Sequence, residues 1–437
     1  MTDVNFDAIV IGAGVIGCGV ALELARSGRS VAVIDRNSAA GAGSTSASSA
    51  IVRFNYSTYE GVAISWEAKQ CWADWEGYLG HVDPTGMVSY IPTGGLVMEF
   101  PGVPVDRLLE LYEQVGIPAQ RLTSSQLTER FPYLDVGRYY PPKTLADDAF
   151  WEEATDQLDA FYTPEGGFIS DPSQAAKNLM HAATQEGATP VFGATVTAVR
   201  REAGRVSGVT LADGRELHAP IVVNVAGPHS PVLNELAGVL DGFNITTRPM
   251  RQEVHQVPGP PGYRIAAGTP APFVADADLG TYFRPEPGGE VLVGGQEPEC
   301  DPKHWLDDAD DYDPMPTGAI HEAQATRLAR RMPEAQVPNR ARGIVGVYDV
   351  TQDWIPIYDR TSLDGFYVAI GTSGNQFKNA PVVGQMMRAL IDACESGHDH
   401  DAEPVTWRAP RIELDIDLGH YSRRREINED SSFSVMG

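Results

Sequence analysis

The first forty residues limit the fold most strongly, because they describe one β-α-β unit. The apolar run over residues 7–11 predicts a buried strand, and the sequence Gly-Ala-Gly-Val-Ile-Gly at 12–17 follows it at once. A helix is expected from there to residues 27–28, and residues 30–35 predict a second buried strand. Parallel strands joined by a helix require an open sheet, which we expect to carry helices on both faces.

The glycine motif is typical of a dinucleotide-binding turn when it stands between a strand and a helix. Gly12 permits a tight turn, Gly14 lets the backbone approach a pyrophosphate, and Gly17 allows close packing of helix and strand. Asp35, at the end of the second strand, would accept hydrogen bonds from ribose hydroxyls and would repel the 2′-phosphate of NADP. The motif does not separate NAD from FAD, and a tight turn without ligand is the alternative.

Composition and charge exclude several other classes of protein. The chain has 437 residues, of which 42% are hydrophobic and 21% charged, as in an ordinary globular protein of two or three domains. A net charge of −26 makes nucleic acid an unfavourable partner. The four cysteines are scattered, and no basic leader or long apolar run is present. We therefore expect a cytoplasmic protein with no membrane span, no disulfide framework and no metal site.

Later segments predict further elements. Residues 171–187 have the pattern of a capped amphipathic helix, and residues 195–225 that of a small β-meander. The acidic run 307–313 and the segment 398–401 are expected to be solvated loops. Residues 410–437 lose periodicity while staying charged, so we expect an arm that lies on the surface or on a partner.

A loop rich in small residues follows the second strand. Residues 43–53 read Gly-Ser-Thr-Ser-Ala-Ser-Ser-Ala-Ile-Val-Arg, and a chain that lies against a diphosphate and a flat ring needs small side chains. In this loop the sequence resembles the D-amino-acid oxidase superfamily of flavoproteins, and within it the sarcosine oxidase and dimethylglycine dehydrogenase branch. A flexible linker is the alternative interpretation of the loop taken alone.

The resemblance continues in order along nearly the whole chain. It rests on residues 91–97, 166–172, 222–227, 282–286, 292–295, 346–356 and 371–378. It implies an α/β fold in which a discontinuous, Rossmann-like FAD-binding domain of the glutathione-reductase type carries a second, β-rich α+β substrate domain. We expect the FAD-binding domain at 1–87, 163–240 and 335–409, the substrate domain at 88–162 and 241–334, and a C-terminal arm at 410–437.

The same resemblance implies which residues contact FAD. The candidates are Gly12, Gly14, Val15, Ile16, Gly17, Asp35, Arg36, Gly43, Ser44, Thr45, Ser49, Ala50, Ile51, Val196, Ala226, Gly227, Gly346, Gly371, Ser373, Gly374, Asn375, Gln376, Phe377 and Lys378. FAD is expected to be bound non-covalently. Gly346 stands where monomeric sarcosine oxidases attach FAD through a cysteine, and Ala47 where dimethylglycine dehydrogenases use a histidine. A helix beginning near Ala380 would favour negative charge on the reduced ring.

For the substrate, the resemblance implies that Arg53 and Lys378 hold a carboxylate. Tyr282, His255 and Gln296 are candidates for shaping the amine site, and for each of them a place in the core is the alternative. The expected reaction is oxidation of a secondary or tertiary amino acid, such as a sarcosine-like N-methyl amino acid, by hydride transfer to flavin N5. The resulting imine would be hydrolysed by water.

Several features of this reaction stay open in the sequence. Leu292 replaces the lysine that helps related oxidases to activate dioxygen, so the acceptor is dioxygen or another electron acceptor. A homo-oligomer is an open alternative to a monomer. The alternative reactions are oxidation of a hydroxy acid or a polyol phosphate, and the alternative of another class is a non-catalytic nucleotide-binding subunit of a complex.

Overall fold

The structure is a computed structural model that describes residues 4–101, 105–266 and 270–435. The described helices are α1 Val15–Arg26, α2 Tyr59–Ala73, α3 Trp75–Leu79, α4 Val105–Val115, α5 Ser124–Arg130, α6 Pro172–Gln185, α7 Ser230–Ala237, α8 Gly318–Arg331 and α9 Ala380–Glu395. The described strands are β1 Val4–Asn5, β2 Ala8–Ile11, β3 Val31–Asp35, β4 Ile51–Val52, β5 Tyr90–Ile91, β6 Gly95–Met98, β7 Gln120–Leu122, β8 Ala160–Thr163, β9 Gly167–Ile169, β10 Thr189–Phe192, β11 Val196–Glu202, β12 Arg205–Leu211, β13 Glu216–His218, β14 Ile221–Asn224, β15 Thr247–Pro258, β16 Phe273–Asp276, β17 Thr281–Pro285, β18 Glu290–Gly295, β19 His304–Trp305, β20 Gly343–Thr351, β21 Ile357–Arg360, β22 Phe366–Ile370, β23 Thr406–Arg408 and β24 Asp415–Asp417.

A six-stranded sheet contains the predicted β-α-β unit. Its order is β10-β3-β2-β14-β22-β21, and every pairing is parallel except that of β21 with β22. The chain returns to this sheet from three distant stretches, so the strands β2 and β14 meet although more than 200 residues separate them. The predicted strands over 7–11 and 30–35 and the helix between them are confirmed.

The two faces of this sheet are covered differently. Helices α1, α6 and α9 pack on one face, where they share a core with Ala8 and Val10 of β2. Ile9 and Ile11 point to the opposite face and pack against the meander β11–β13. Leu233 and Ala237 of α7 lie in the same core, so helices contact both faces of the sheet, as expected. The sequence did not predict that the apolar side of the β-meander covers the second face together with this helix.

Sequence signals at the ends of elements correctly predicted two of the elements that pack on this sheet, helix α6 and the meander β11–β13. The side chain of Asp171 accepts a hydrogen bond from the Gln174 backbone N–H at 2.9 Å, and Pro172 begins α6. The antiparallel pairs β11 with β12 and β12 with β13 form the predicted meander. Turn residues mark the hairpins, because Ala203 and Gly204 have left-handed φ values of 50° and 84°.

A second, largely antiparallel sheet of nine strands lies beside the first. Its order is β19-β15-β18-β17-β16-β6-β8-β7, with β20 paired to β15 off this path. Helix α8 packs on one face, where Ala325, Leu328 and Met332 meet Val291 and Val293 of β18. The structure places β20 in this sheet through nine paired positions with β15, although the sequence grouped residues 335–409 with the FAD-binding domain.

The C-terminal residues fold back on their own chain. Arg423 is fully buried, and its guanidinium pairs with Asp359 at 2.9 Å and with Asp401 at 2.8 Å. Arg425 pairs with Asp353 at 2.8 Å. This corrects the expected arm, and it also corrects the expectation for residues 398–401, because Asp401 is a structural ion-pair partner. None of the described helices is long and apolar enough to cross a membrane.

Candidate active site

A cavity of about 770 Å³ opens between the two sheets. One wall is formed by the ends of β2 and β3 with the turn and loop that follow them, and the facing wall by β15, β17 and β20. This arrangement follows from topology, because the carboxyl ends of parallel strands meet at one edge and leave a crevice there.

Nearly all residues singled out in the sequence line this cavity. They are Gly12, Gly14, Val15, Ile16, Gly17, Asp35, Arg36, Gly43, Ser44, Thr45, Ser49, Ala50, Ile51, Arg53, Val196, Ala226, Gly227, Tyr282, Gln296, Gly346, Gly374, Asn375, Gln376, Phe377 and Lys378. Gly371, Ser373 and His255 do not line it.

The three glycines of the turn differ in what excludes a side chain. A Cβ on Gly12 would lie 2.3 Å from the Val225 carbonyl oxygen, and one on Gly17 would lie 1.9 Å from the Gly12 carbonyl oxygen. A Cβ on Gly14 would meet only the Thr45 hydroxyl, at 3.2 Å, on the side that faces the cavity. Packing therefore requires glycine at positions 12 and 17, whereas Gly14 keeps room for an occupant of the cavity.

Asp35 lies where a ribose would be expected. Its carboxylate accepts hydrogen bonds from the backbone N–H groups of Ala13 and Asn37, both at 2.7 Å. These two bonds orient the carboxylate and leave lone pairs on both oxygens. The side chain is therefore held ready to accept further hydrogen bonds from hydroxyl groups.

The acidic run reaches this same end of the cavity. Asp310 accepts two hydrogen bonds from Arg36, at 2.5 and 2.6 Å, and lies 3.1 Å from the Nε2 atom of His229. The Arg36 guanidinium holds the pKa of Asp310 below its usual range. Asp308 and Tyr312 also line the cavity, so the run 307–313 is part of the wall and not only a solvated loop.

Gly371 and Ser373 lie behind the last cavity loop. The Gly371 N–H donates to the Asp349 carboxylate at 2.7 Å, and the Ser373 N–H donates to the Asp349 backbone carbonyl at 3.0 Å. Burial raises the pKa of Asp349, while the hydroxyl of Thr372 hydrogen-bonds its carboxylate at 2.5 Å. These contacts fix residues 374–378 along the cavity, and α9 begins at Ala380 as the sequence predicted.

Arg53 and Lys378 meet around the ring of Tyr56. The Arg53 guanidinium lies 4.8 Å and the Lys378 Nζ 4.6 Å from the centre of this ring. Lys378 also donates to the Tyr56 hydroxyl at 2.5 Å and to the Asn375 carbonyl at 2.7 Å. Burial, with a smaller contribution from Arg53, holds the pKa of Lys378 well below its ordinary value. Two basic groups therefore share one end of the cavity.

Two aromatic residues that support this pair were not identified from the sequence. Tyr56 is buried, and burial raises its pKa to about 12, so it faces both basic groups as a neutral phenol. Trp72 donates its Nε1–H to the Lys378 carbonyl at 2.6 Å. The position of Tyr56 three residues after Arg53 is the one local signal that could have indicated its role.

The three candidates for the amine site have different positions. Tyr282 lines the cavity, its hydroxyl lies 2.7 Å from the Ser49 hydroxyl, and burial raises its pKa to about 12. Gln296 also lines the cavity. His255 points to the opposite face of β15, where its Nδ1 lies 2.8 Å from Gln324 of α8. Successive strand residues face opposite sides, and Val254 takes the cavity side.

The comparison with known families identifies the cofactor. Residues 7–390 match the sequence model of the DAO family, described as FAD dependent oxidoreductase. The chain belongs to this family. The protein is thus an FAD-dependent oxidoreductase, and the open space at Gly14, the carboxylate of Asp35 and the long cavity between the sheets fit FAD.

DAO-family relatives match most of the chain at modest identity. The sarcosine oxidase subunit beta of Arthrobacter sp is 24% identical over 387 residues, which are 87% of this chain and 85% of that protein. The monomeric sarcosine oxidase of Bacillus sp. (strain NS-129) is 26% identical over 411 residues, covering 90% of this chain and 95% of that protein. These two proteins are similar to the chain over both sheets.

Solved structures show the same fold. The L-proline dehydrogenase from P. horikoshii superposes with a TM-score of 0.75 at 22% identity, over 97% of this chain and 98% of that one. The glycine oxidase from Geobacillus kaustophilus gives a TM-score of 0.72 at 19% identity, over 97% of this chain and 100% of that one. The expected α/β fold with an FAD-binding part is confirmed.

Proposed function

We propose that the protein oxidises the C–N bond of a secondary or tertiary amino acid, such as a sarcosine-like N-methyl amino acid. The observation that carries this proposal is the pair of basic side chains, Arg53 and Lys378, which both line the cavity and meet around one tyrosine ring. The chain as a whole carries a net charge of −26, so an anionic substrate needs such a local site. The similarity to sarcosine oxidases supports the same substrate class.

In this proposal each residue has a defined task. Arg53 binds the carboxylate through two N–H groups of its planar guanidinium, and Lys378 adds a point charge. Tyr282 and Gln296 border the space beside the carboxylate and position the amine, which has to be unprotonated to react. His255 is left out, because it lies on the far side of β15. FAD would supply the hydride acceptor, N5, to the carbon next to nitrogen.

We also propose how the chain divides between cofactor and substrate. The six-stranded sheet with residues 12–17, 35–51 and 374–378 would hold FAD, and the nine-stranded sheet would cover the substrate. The glycines, hydroxyl groups and backbone N–H groups along the first wall suit a diphosphate. The side chains of β15 and β17 suit a small organic substrate.

The first test is anaerobic reduction of the bound flavin. N-methyl amino acids should bleach its visible absorbance, whereas 2-hydroxy acids and polyol phosphates of similar size should not. Bleaching by a hydroxy acid alone would replace this proposal by the alternative reaction. Bleaching by none of these compounds would contradict the proposed substrate class.

The second test asks whether the two cations bind the carboxylate. Arg53→Ala and Lys378→Ala should each keep FAD and lose about 1.5–3 kcal/mol of transition-state stabilisation, which is the scale of a charge-assisted hydrogen bond. Lys378→Arg should restore only part of kcat/KM, because a planar fork does not replace a point charge. Equal losses for amines with and without a carboxylate would show that the residues support the flavin instead.

A further inference from the structure

The end of the chain contributes to the candidate substrate site. The family match ends at residue 390, yet Val435 lines the same cavity as Arg53 and Lys378. The backbone carbonyl of Val435 accepts a hydrogen bond from Nη2 of Arg53, across 382 residues of sequence. A segment outside the matched part of the chain therefore touches the residue that we propose binds the carboxylate.

The segment 431–435 is anchored by contacts of its own. The Ser431 hydroxyl donates to the Asp353 carbonyl at 2.5 Å, close to the ion pair between Asp353 and Arg425. Val435 is 9% exposed and belongs to a small buried cluster with Met250, Val350 and Trp354. These contacts hold the Val435 carbonyl in place without help from Arg53.

The hydrogen bonds of Arg53 show what this carbonyl does. A guanidinium has five N–H donors. Among the described residues, Arg53 donates from Nη1 to the carbonyl oxygen of Asn55 at 2.9 Å and to its side-chain oxygen at 3.4 Å, and from Nη2 to Val435. Three acceptors leave two of the five donors for a ligand in the cavity, as many as a bidentate carboxylate needs.

We propose that the segment 431–435 is a positioning element of the substrate site, which fixes the Arg53 guanidinium so that it is ready to bind a carboxylate. This inference rests on the proposed function of Arg53. The neutral Val435 carbonyl and Asn55 hold the guanidinium from two of its nitrogen atoms, so less side-chain freedom is lost when the substrate binds. Substrate affinity then depends on a part of the chain that the family match does not include.

The test measures the binding of propionate, a small carboxylate without an amine. The change in flavin absorbance on binding gives the dissociation constant. A chain shortened after Asp430 should bind propionate about tenfold more weakly, the effect of losing one hydrogen bond that orients a charged group. Ser431→Ala, which removes the anchor to Asp353, should weaken binding in the same direction by a smaller factor. Ser125→Ala, at an exposed position of α5 outside both the segment and the cavity, is the matched control and should leave the dissociation constant unchanged.

FAD content and turnover separate positioning from a general structural role. The FAD content of every variant should equal that of the parent, because the segment touches the cavity at its Arg53 end. In turnover of an N-methyl amino acid, KM should rise with the propionate dissociation constant while kcat changes less. Ser431→Ala keeps the test decisive if the shortened chain does not fold.

Each remaining outcome has a distinct meaning. Propionate binding that is unchanged in the shortened chain but weakened in Arg53→Ala would overturn this inference and leave the proposed function in place. Tighter binding in the shortened chain would also overturn it, because the segment would then compete with the carboxylate. A parent protein that does not bind propionate, or binds it equally after Arg53→Ala, would overturn the proposed function itself.

Discussion

At the scale of single residues, Lys378 lies where burial makes a positive charge unfavourable and where that charge would help to bind a carboxylate. Its side chain is buried against Tyr56 and Asn375, and Arg53 lies on the same tyrosine ring. Burial and this second cation both disfavour the ammonium form, so the pKa falls well below its ordinary value. An arriving carboxylate would reverse this, because an opposite charge favours protonated lysine.

This gives a pH dependence of known sign for carboxylate binding. Because the carboxylate raises the pKa of Lys378, binding takes up a proton above the pKa of the free protein, and affinity falls as pH rises. We expect the propionate dissociation constant to increase as the pH rises through the lowered pKa of Lys378. Lys378→Met should remove most of this slope, and Lys177→Met, at an exposed position, should retain it. Equal slopes in the parent and Lys378→Met would contradict the assignment.

The glycines of the turn allow a second prediction at this scale. Gly14→Val should fold but lose FAD. A valine side chain there would meet only the Thr45 hydroxyl of the protein, but it would fill space that the cofactor needs. Gly17→Ala should instead lower the stability of the FAD-free chain, because its Cβ would lie 1.9 Å from a backbone oxygen. FAD per chain after gel filtration and the thermal midpoint of the apoprotein separate the two effects. Normal FAD content in Gly14→Val would count against the dinucleotide assignment.

At the scale of elements, buried ion pairs attach the C-terminal residues to the six-stranded sheet. Arg423 joins Asp359 of β21 to Asp401, and the side chains of Arg423 and Asp359 have no exposed surface. Burial alone would raise the pKa of Asp401, but the hydrogen bond and charge of Arg423 hold it below its usual value. Removing one partner of such a pair strongly destabilises the folded protein, because the other charge stays buried and uncompensated.

We therefore expect Arg423→Met to destabilise the protein by about 3–5 kcal/mol, measured as the free energy of unfolding in urea. Arg424→Met is the matched control. The Arg424 side chain is 55% exposed and lies 3.4 Å from the same Asp401, so its loss should cost only about 0–1 kcal/mol. A small effect of both substitutions would show that the C-terminal residues are held by packing and not by charge.

At the scale of the whole molecule, the cavity exists only because two sheets face each other. The parallel sheet supplies turns and loops with small residues, and β15, β17 and β20 close the other side. Where these walls meet, Gly346 of β20 lies against Ala47, since a Cβ on Gly346 would be 2.8 Å from the Ala47 Cβ. The two positions that match the covalent attachment sites of related enzymes are thus neighbours, and neither carries a nucleophile.

We expect acid or heat precipitation to release all of the FAD into the supernatant. The four cysteines, Cys18, Cys71, Cys300 and Cys394, do not line the described cavity, so they offer no alternative attachment. The measurement is flavin absorbance of the supernatant and of the washed, redissolved chain. Yellow colour that stays with the denatured chain would contradict non-covalent binding.

Sequence patterns that act over short distances predicted much of the FAD-binding part. The close approach of Gly17 to Gly12, the contact of the Asp35 carboxylate with Ala13 and the cap at Asp171 all depend on neighbours within one element or its connection. Their geometry follows from local backbone and hydrogen-bond requirements. The other residues expected to contact the cofactor were implied by the family resemblance, and almost all of them line the cavity.

Only the tertiary structure decided the rest of the site. The face of β15 that His255 takes depends on which side of the strand packs against α8, and alternation alone does not tell the two sides apart. The partners of Arg423 lie 22 and 64 residues away, so charged residues that resembled a solvated arm form a buried network. Val435 meets Arg53 across 382 residues, because the two sheets and the returning C-terminal segment bring both to one end of the cavity. Contacts between such distant residues depend on how whole elements pack, which no local pattern records.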